Sequence, residues 1–165
     1  MKYIDFDGVI LDTESLMFHE KSGFWQFSHD EQIEYVKNQD WMRILNQATV
    51  IKDAINILKE LDAEDTAILT KVHSLNEADA KINYLRDNGV KQSVILVPYK
   101  LSKIDVVPAI GNILVDNAMF NLDEWKKSSG IPIFFNKDDE DIDEYGIKNE
   151  NYPKIKTLRF LNHYK

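Results

Sequence analysis

Five short apolar runs, each followed by polar or turn residues, place the strongest constraint on how this chain folds. They are rich in Ile, Val, Leu and Phe and cover residues 2–6, 66–69, 93–97, 112–115 and 131–135. None of them alternates apolar with polar residues, as a strand with one solvated face does. Continuous apolar runs are typical of strands that are covered on both faces of a parallel sheet. We therefore expect a buried parallel β-sheet.

Helical patterns separate these runs. Ser74-Leu75-Asn76-Glu77 is a capping-box sequence, and the apolar residues that follow it at helical spacing end at Asn88-Gly89. Residues 50–61 carry an apolar stripe, and a further helix is expected from residue 121 to Gly130. Strands that alternate with helices predict an α/β fold, a parallel sheet flanked by helices.

Residues 13–48 interrupt this alternation. The segment has no strand pattern, a second capping box (Ser28 with Glu31), and many aromatic residues: Phe18, Phe24, Trp25, Phe27, Tyr35 and Trp41. We interpret it as a small helical insertion, with residues 1–12 and 49–165 forming the core. The aromatic residues either pack the insertion on the core or form a lid that encloses a substrate.

Composition excludes several classes of function. The net charge of −8 and the pI of about 5.0 disfavour binding to a nucleic acid polymer or to an anionic membrane. The chain has no cysteine, so disulfides, thiolate metal sites and cysteine nucleophiles are excluded. Charged residues close to the amino terminus disfavour a signal peptide, and no apolar run approaches the roughly 20 residues of a membrane span. We expect a soluble, cytoplasmic protein, and we interpret the acidic run at 138–144 as a solvated loop.

Polar residues follow the predicted strands. In an open α/β sheet the ligand crevice lies beyond the carboxyl ends of the strands, so these residues are expected to meet there. They are Asp5 and Asp7 after the first strand, Thr70 after the second, Lys100 or Lys103 after the third, and Asp116 with Asn117 after the fourth.

This set of side chains predicts phosphate chemistry. Clustered carboxylates repel one another unless they share a cation or take up a proton. Oxygen ligands of this kind suit Mg²⁺, which favours phosphate as a further ligand. A hydroxyl and an ammonium group can donate to phosphate oxygens, and charge neutralisation of this kind supplies much of the catalysis of phosphoryl transfer.

The segment Asp5-Phe6-Asp7-Gly8-Val9-Ile10-Leu11-Asp12-Thr13-Glu14 resembles the first motif of the haloacid dehalogenase-like (HAD) hydrolases. The resemblance implies a Rossmann-like core with a small helical cap inserted after the first strand. It also implies that Asp5 attacks phosphorus and that Asp7 protonates the leaving group.

The later motifs are similar in order and spacing over about residues 3–135. Ile68-Leu69-Thr70 resembles the second motif, whose hydroxyl holds the transferring phosphoryl group. Lys103, with Lys100 as the alternative, resembles the third-motif lysine. Asp116 resembles the acidic residue of the fourth motif, which implies a Mg²⁺ site formed by Asp5, Asp116 and the backbone carbonyl of Asp7. Asn117 departs from the family, which often has a second acidic residue there.

Three further positions have open roles. Asp123 is either a supporting carboxylate or a helix-capping residue. Lys71 and Lys81 are candidates to meet a phosphate-bearing ligand, although exposed, solvated positions are commoner for such lysines. Of the two, we assign Lys71 to substrate binding.

The resemblance predicts a Mg²⁺-dependent phosphatase that acts through an aspartyl-phosphate. Residues 113–125 are similar to the same region of 5'(3')-deoxyribonucleotidases, which suggests a nucleotide or another small phosphorylated metabolite as substrate. A phosphomutase and a catalytically inactive binding or regulatory protein remain as alternatives. A P-loop kinase is disfavoured because its glycine-rich lysine motif is missing from the sequence.

Overall fold

Six parallel strands form one sheet in the computed structural model, which describes residues 1–20 and 23–163, the side chains of 18–20 excepted. The strands are β1 (Lys2–Ile4), β2 (Thr66–Val72), β3 (Ser93–Pro98), β4 (Ile113–Asp116), β5 (Ile131–Phe135) and β6 (Lys154–Ile155). Their order is β3-β2-β1-β4-β5-β6, and every neighbouring pair is parallel. The predicted parallel sheet is confirmed, with β1 at its centre.

Helices flank this sheet. They are α1 (Thr13–Glu20), α2 (His29–Lys37), α3 (Trp41–Gln47), α4 (Ala54–Glu60), α5 (Leu75–Asp87) and α6 (Met119–Lys127). Single 3₁₀ segments cover Phe24–Gln26, Lys103–Asp105 and Leu158–His163. The α/β fold class predicted from the sequence is therefore confirmed.

Alternate residues of the central strands enter two separate cores. Ile4 and Ile68 belong to one apolar cluster, whereas Tyr3, Ala67 and Leu69 belong to the other. Successive side chains of a strand point to opposite faces, so these strands are covered on both sides. This packing explains why their sequences are continuously apolar.

The observed elements differ from the prediction at several points. Strand β2 continues to Val72 because it pairs with β3 up to Pro98, so Thr70 lies inside a strand and not after one. Helix α4 begins at Ala54 and not at residue 50, since Lys52 and Asp53 have positive φ angles. The two-residue strand β6 at the sheet edge is too short to give a sequence pattern.

The insertion between β1 and β2 is helical, as predicted, and its described residues contain no strand. Phe24 and Trp41 are buried in the larger core cluster, and Phe27 and Tyr35 pack against it. These rings therefore attach the insertion to the core. Its division from the core at 12/13 and 48/49 stays a prediction, and the side chains of Phe18 and His19 lie outside the described residues.

Within residues 1–20 and 23–163, no helix combines the length and the hydrophobicity that crossing a membrane requires. The predicted cytoplasmic location stays a prediction.

Candidate active site

Two carboxylates and one lysine from three different segments meet at the carboxyl end of the central strands. Asp5 follows β1, Asp116 ends the neighbouring β4, and Lys103 begins the 3₁₀ segment after β3. The Lys103 ammonium lies 2.6 Å from Asp5 Oδ1 and 2.6 Å from Asp116 Oδ2. The other candidate lysine, Lys100, lies over the ring of Tyr99. The lysine between the two carboxylates is therefore Lys103.

The pKa values of Asp5 and Lys103 depend on their burial and on the charges beside them. Burial raises the pKa of Asp5 to about 7; Lys103 opposes the rise and the Asp116 carboxylate adds to it. Burial disfavours the charged form of Lys103, but the two carboxylates outweigh that effect and raise its pKa. Two carboxylates share one ammonium here, so the cluster retains an excess of negative charge when all three groups are ionised.

The orientation of Asp116 is determined by donors on both of its oxygens. Oδ1 accepts the backbone N–H of Ala118 at 2.9 Å. Oδ2 accepts the Asn121 amide at 3.0 Å in addition to Lys103. Asp116 is fully buried, so these contacts hold its carboxylate toward Lys103 and Asp5.

Asp7 is held by a different pair of donors. The Thr13 hydroxyl donates to Oδ1 at 2.6 Å, and the Lys81 ammonium donates to Oδ2 at 2.6 Å. The Asp7 side chain is 20% exposed, and it lines the pocket described below. Asp5 and Asp7 therefore belong to two different ion-pair clusters on one pocket wall.

Thr70 and Lys71, near the end of β2, have different environments. Thr70 is fully buried, accepts a hydrogen bond from Lys81 at 3.2 Å and donates to the Lys71 carbonyl at 3.3 Å, so its hydroxyl faces the protein. Phosphate binding by Thr70 stays a prediction, and it would require this hydroxyl to turn. Lys71 lines the pocket, and burial together with the nearby Lys103 lowers its pKa.

Gly8 allows the loop after Asp7 to lie against Asn117. Its φ is +70°, and a Cβ there would lie 2.2 Å from Asn117 Nδ2 and 2.7 Å from Glu14 Oε2. The Asn117 amide donates to Glu14 Oε2 at 3.1 Å. Glycine meets both requirements because it tolerates positive φ and has no Cβ.

The interpretation of residues 138–144 as a solvated loop is wrong for the last two residues, Asp143 and Glu144. Residues 138–142 are exposed, but Asp143 is buried and accepts backbone N–H groups from Met119 at 3.0 Å, Tyr145 at 3.0 Å and Ile147 at 2.7 Å. It thereby caps α6, whose own N-cap residue is an alanine. The turn this creates brings Glu144 and Tyr145 to the pocket.

Glu144 adds a second carboxyl group beside Glu14, and both residues are half-buried. Burial raises the pKa of Glu144. Burial and a hydrogen bond with Glu144 raise the pKa of Glu14 well above its usual range. This pairing of Glu14 with Glu144 was not predicted from the sequence, because the two residues are distant along the chain.

Lys81 does not occupy the exposed position that is commoner for such a lysine. An exposed, solvated position was the commoner expectation for it, yet the residue is fully buried and contacts Asp7 and Glu77. The capping-box prediction is half right: the Ser74 side chain accepts the Glu77 N–H at 3.1 Å, but the Glu77 carboxylate turns inward to Lys81. One signal was available, since residues 77 and 81 share a helix face with the buried Leu85.

A pocket of about 390 Å³ lies over these groups. That volume is within the range of about 300–1,000 Å³ that is typical of small-molecule sites. Its wall includes acidic and basic groups (Asp5, Asp7, Lys71, Lys103, Asp116) and aromatic rings from the insertion and the core (Phe24, Trp25, Trp41, Tyr99, Phe120, Tyr145). The arrangement suits a small ligand with a charged end and an apolar end.

The donor chemistry of this pocket fits a hard cation. In the described part of the chain no three acidic or histidine side chains already converge as metal ligands do, because Lys103 lies between Asp5 and Asp116. The available donors are nevertheless oxygens, which suit Mg²⁺. Asn121 is buried, borders Asp116 and has a side-chain oxygen without a hydrogen-bond partner in the described structure. Burial disfavours the ionised form of Asp5 and raises its pKa, and a cation bound beside it would offset that effect.

Comparison of the sequence with family models and with curated proteins gives no match. Comparison of the structure gives full-length similarities that each cover 99% of this chain. A HAD-hydrolase of Bacillus subtilis, YfnB, bound to magnesium, is 16% identical, with a TM-score of 0.60 and 96% of its chain covered. A haloacid dehalogenase-like hydrolase of Streptococcus pneumoniae is 14% identical, with a TM-score of 0.64 and 97% of its chain covered.

A third similar structure is the D,D-heptose 1,7-bisphosphate phosphatase of B. bronchiseptica, complexed with magnesium and phosphate. It is 13% identical, with a TM-score of 0.54 and 97% of its chain covered. At these identities the likeness concerns the fold. The chain has the fold of the haloacid dehalogenase-like hydrolases.

Proposed function

We propose that this protein is a Mg²⁺-dependent phosphomonoester hydrolase that acts through an aspartyl-phosphate on Asp5. The observation that carries the proposal is the meeting of Asp5, Asp116 and Lys103 in the wall of a small pocket, with both ammonium–carboxylate distances at 2.6 Å. These residues come from separate parts of the chain. The similar structures solved with magnesium, one of them a phosphatase, support the same chemistry.

Asp5 is the nucleophile in this proposal. Lys103 binds its Oδ1, so we assign the attack on phosphorus to Oδ2. The new Oδ2–P bond forms as the bond between phosphorus and the ester oxygen breaks. Lys71 and Lys103 both carry ammonium groups near this position, and they offset the charge of the incoming phosphate.

Asp7 is the acid and base in this proposal. It gives a proton to the ester oxygen, which leaves as an alcohol together with the electron pair of the broken bond. It then removes a proton from the water that hydrolyses the aspartyl-phosphate, which returns Asp5 as a carboxylate. Asp7 lines the pocket, as this role requires.

The residues that would hold Mg²⁺ are Asp5, Asp116 and the backbone carbonyl of Asp7. A bound Mg²⁺ supplies positive charge that screens the phosphate from the carboxylates. Because Asp116 also binds Lys103, it would serve both cations through different oxygens or lone pairs.

The apolar end of the pocket supports a nucleotide, among small phosphorylated metabolites. Trp25, Phe120 and Tyr145 line it, with Trp25 and Phe120 each in edge contact with Tyr145 at 6.1 and 5.7 Å between ring centroids. Aromatic faces bind planar groups by stacking, and a nucleobase is such a group. Faster hydrolysis of nucleoside monophosphates than of ribose 5-phosphate would be expected.

The test is phosphate release from a panel of phosphomonoesters, with Mg²⁺ and with EDTA. Wild type is expected to release phosphate only with Mg²⁺, and Asp5→Asn is expected to remove that activity while the protein still unfolds cooperatively. Asp123→Asn is the matched control, because Asp123 bonds to Tyr152 and does not line the pocket; full activity is expected.

Three results would contradict the proposal or redirect it. Full activity of Asp5→Asn would remove Asp5 from the mechanism. An isomerised product without free phosphate would identify a phosphomutase. No turnover of any ester by wild type would favour a binding or regulatory protein.

A further inference from the structure

Lys81 is a buried cation that the proposed mechanism does not use, and it lies at the centre of a hydrogen-bond network. Its ammonium lies 2.6 Å from Asp7 Oδ2 and 2.7 Å from Glu77 Oε1. It also lies 3.2 Å from the Thr70 hydroxyl and 3.1 Å from the Lys71 carbonyl. The network therefore connects the loop after β1, the end of β2 and the first turns of α5.

Such a position is unusual for a lysine. Lysine is almost never fully buried unless it is paired, because its charge loses hydration. Here the side chain is fully buried, and the ammonium also lies 5.3 Å from the ring centre of Phe6 and 5.1 Å from that of Trp41. An apolar residue of the same length would avoid the desolvation, so the stability of the fold does not by itself explain a lysine here.

The contact with Asp7 suggests the reason. Lys81 and Thr13 bind different oxygens of the Asp7 carboxyl, and both distances are 2.6 Å. Together they fix the plane of that group. Each carboxyl oxygen has a second lone-pair direction, and the exposed fifth of the side chain borders the pocket. A proton carried on that side would face the ligand.

Glu77 gives Lys81 a second anchor. Glu77 Oε1 accepts a hydrogen bond from the Lys81 ammonium, and Oε2 accepts one from the backbone N–H of His73 at 2.7 Å. Glu77 is itself buried, on the same helix and four residues before Lys81. Lys81 is therefore held in place independently of Asp7, and it acts on Asp7 as a fixed support.

We infer that Lys81 is a positioning residue that, with Thr13, aims the Asp7 carboxyl at the ester oxygen of the substrate. The inference rests on the proposed function, and it assigns to Lys81 no contact with substrate. In the step concerned, the Asp7 O–H bond breaks, the ester oxygen takes the proton, and the electron pair of the P–O bond stays on that oxygen. Lys81 supplies only the direction of the donor group.

The experiment compares two esters of similar shape, p-nitrophenyl phosphate and benzyl phosphate. The p-nitrophenolate group leaves readily without a proton, whereas the benzyl alkoxide needs one. The variant is Lys81→Met with Glu77→Gln, which removes the cation without leaving a buried carboxylate unpaired. General acids contribute about 10²–10⁴-fold to rate. We expect kcat for benzyl phosphate to fall at least about 10-fold more than kcat for p-nitrophenyl phosphate, with KM little changed.

Lys2→Met is the matched control, since it removes a partly buried lysine whose ion pair with Asp65 lies away from the pocket. The control should lower neither rate. If the first variant does not unfold cooperatively, Lys81→Gln with Glu77→Gln, which keeps a polar side chain of similar reach, is measured in its place.

An equal fall in kcat on both esters is what a merely structural role would give, and it overturns the inference. Unchanged kcat on both esters overturns it as well. Wild type inactive on both esters and on the phosphomonoester panel contradicts the proposed hydrolase and removes the inference with it. Wild type active with equal losses in the variant contradicts only the role of Lys81.

Discussion

Removal of the Lys103 ammonium should destabilise the protein strongly, because it leaves two buried carboxylates facing each other. Lys103 is 2% exposed and Asp116 is fully buried. With an effective dielectric constant of about 20, a unit charge pair at the observed 2.6 Å separation attracts by about 6 kcal/mol. Desolvation of the lysine offsets much of this gain. Breaking a buried ion pair by removing one partner lowers the free energy of unfolding by about 3–5 kcal/mol, and we expect a loss in that range for Lys103→Met at pH 8.

The expected loss depends on pH and on Mg²⁺. Burial raises the pKa of Asp5 to about 7, so Asp5 takes up a proton at low pH and the loss should be smaller at pH 5.5 than at pH 8. Mg²⁺ can replace the missing positive charge, so saturating Mg²⁺ should recover part of the loss. Both trends follow from the sign of the charge left behind.

The assay is urea unfolding in EDTA and again in Mg²⁺, followed by circular dichroism. With a slope of about 2 kcal/mol per molar urea, the midpoint should fall by about 2 M. The control Lys2→Met removes a more exposed pair, Lys2 with Asp65, and should cost about 0–1 kcal/mol. A double variant with Asp5→Asn should lose less than the sum of the two single losses.

Two results would refute the reasoning. One is a loss in Lys103→Met below about 1 kcal/mol at pH 8, no larger than that of the Lys2 control. The other is strict additivity with Asp5→Asn, which would mean that the two charges do not interact.

Two further predictions concern the loop that carries the acidic run. Burial raises the pKa of Glu144. Its contribution to the free energy of unfolding is therefore fully present below the usual pKa of glutamate, and it is lost as the pH rises through the raised pKa of the folded state. In thermal melts with EDTA, Glu144→Gln should therefore be more stable than wild type at pH 8 and equal to it at pH 4; lower stability at pH 8 would contradict this. Asp143→Ala removes the acceptor of three backbone N–H groups and should cost about 2 kcal/mol by urea unfolding, whereas the exposed Asp141→Ala should cost little. Equal stability of the two alanine variants would exclude the capping role.

The sequence by itself determined the parallel sheet and the approximate positions of five of its strands. Continuous apolar runs require burial on both faces, and short polar segments after parallel strands reach one edge of the sheet. Asp5 and Asp116 were therefore expected to meet at one edge of the sheet, and the structure brings them together because β1 and β4 are neighbours. The same reasoning placed a lysine near them, Lys103 or Lys100, after β3, and the structure identifies it as Lys103.

Only the tertiary structure decided which polar side chains are buried and with whom they pair. Lys81 looks like a surface lysine in sequence, and its burial depends on Asp7, 74 positions earlier. Glu144 belongs to a run of exposed acids, and it turns inward because Asp143 caps a helix 24 positions earlier. The hydroxyl of Thr70 faces Lys81 because pairing with β3 extends β2 beyond it. Charge pairing inside a protein depends on distances between remote segments, and no local sequence pattern encodes those distances.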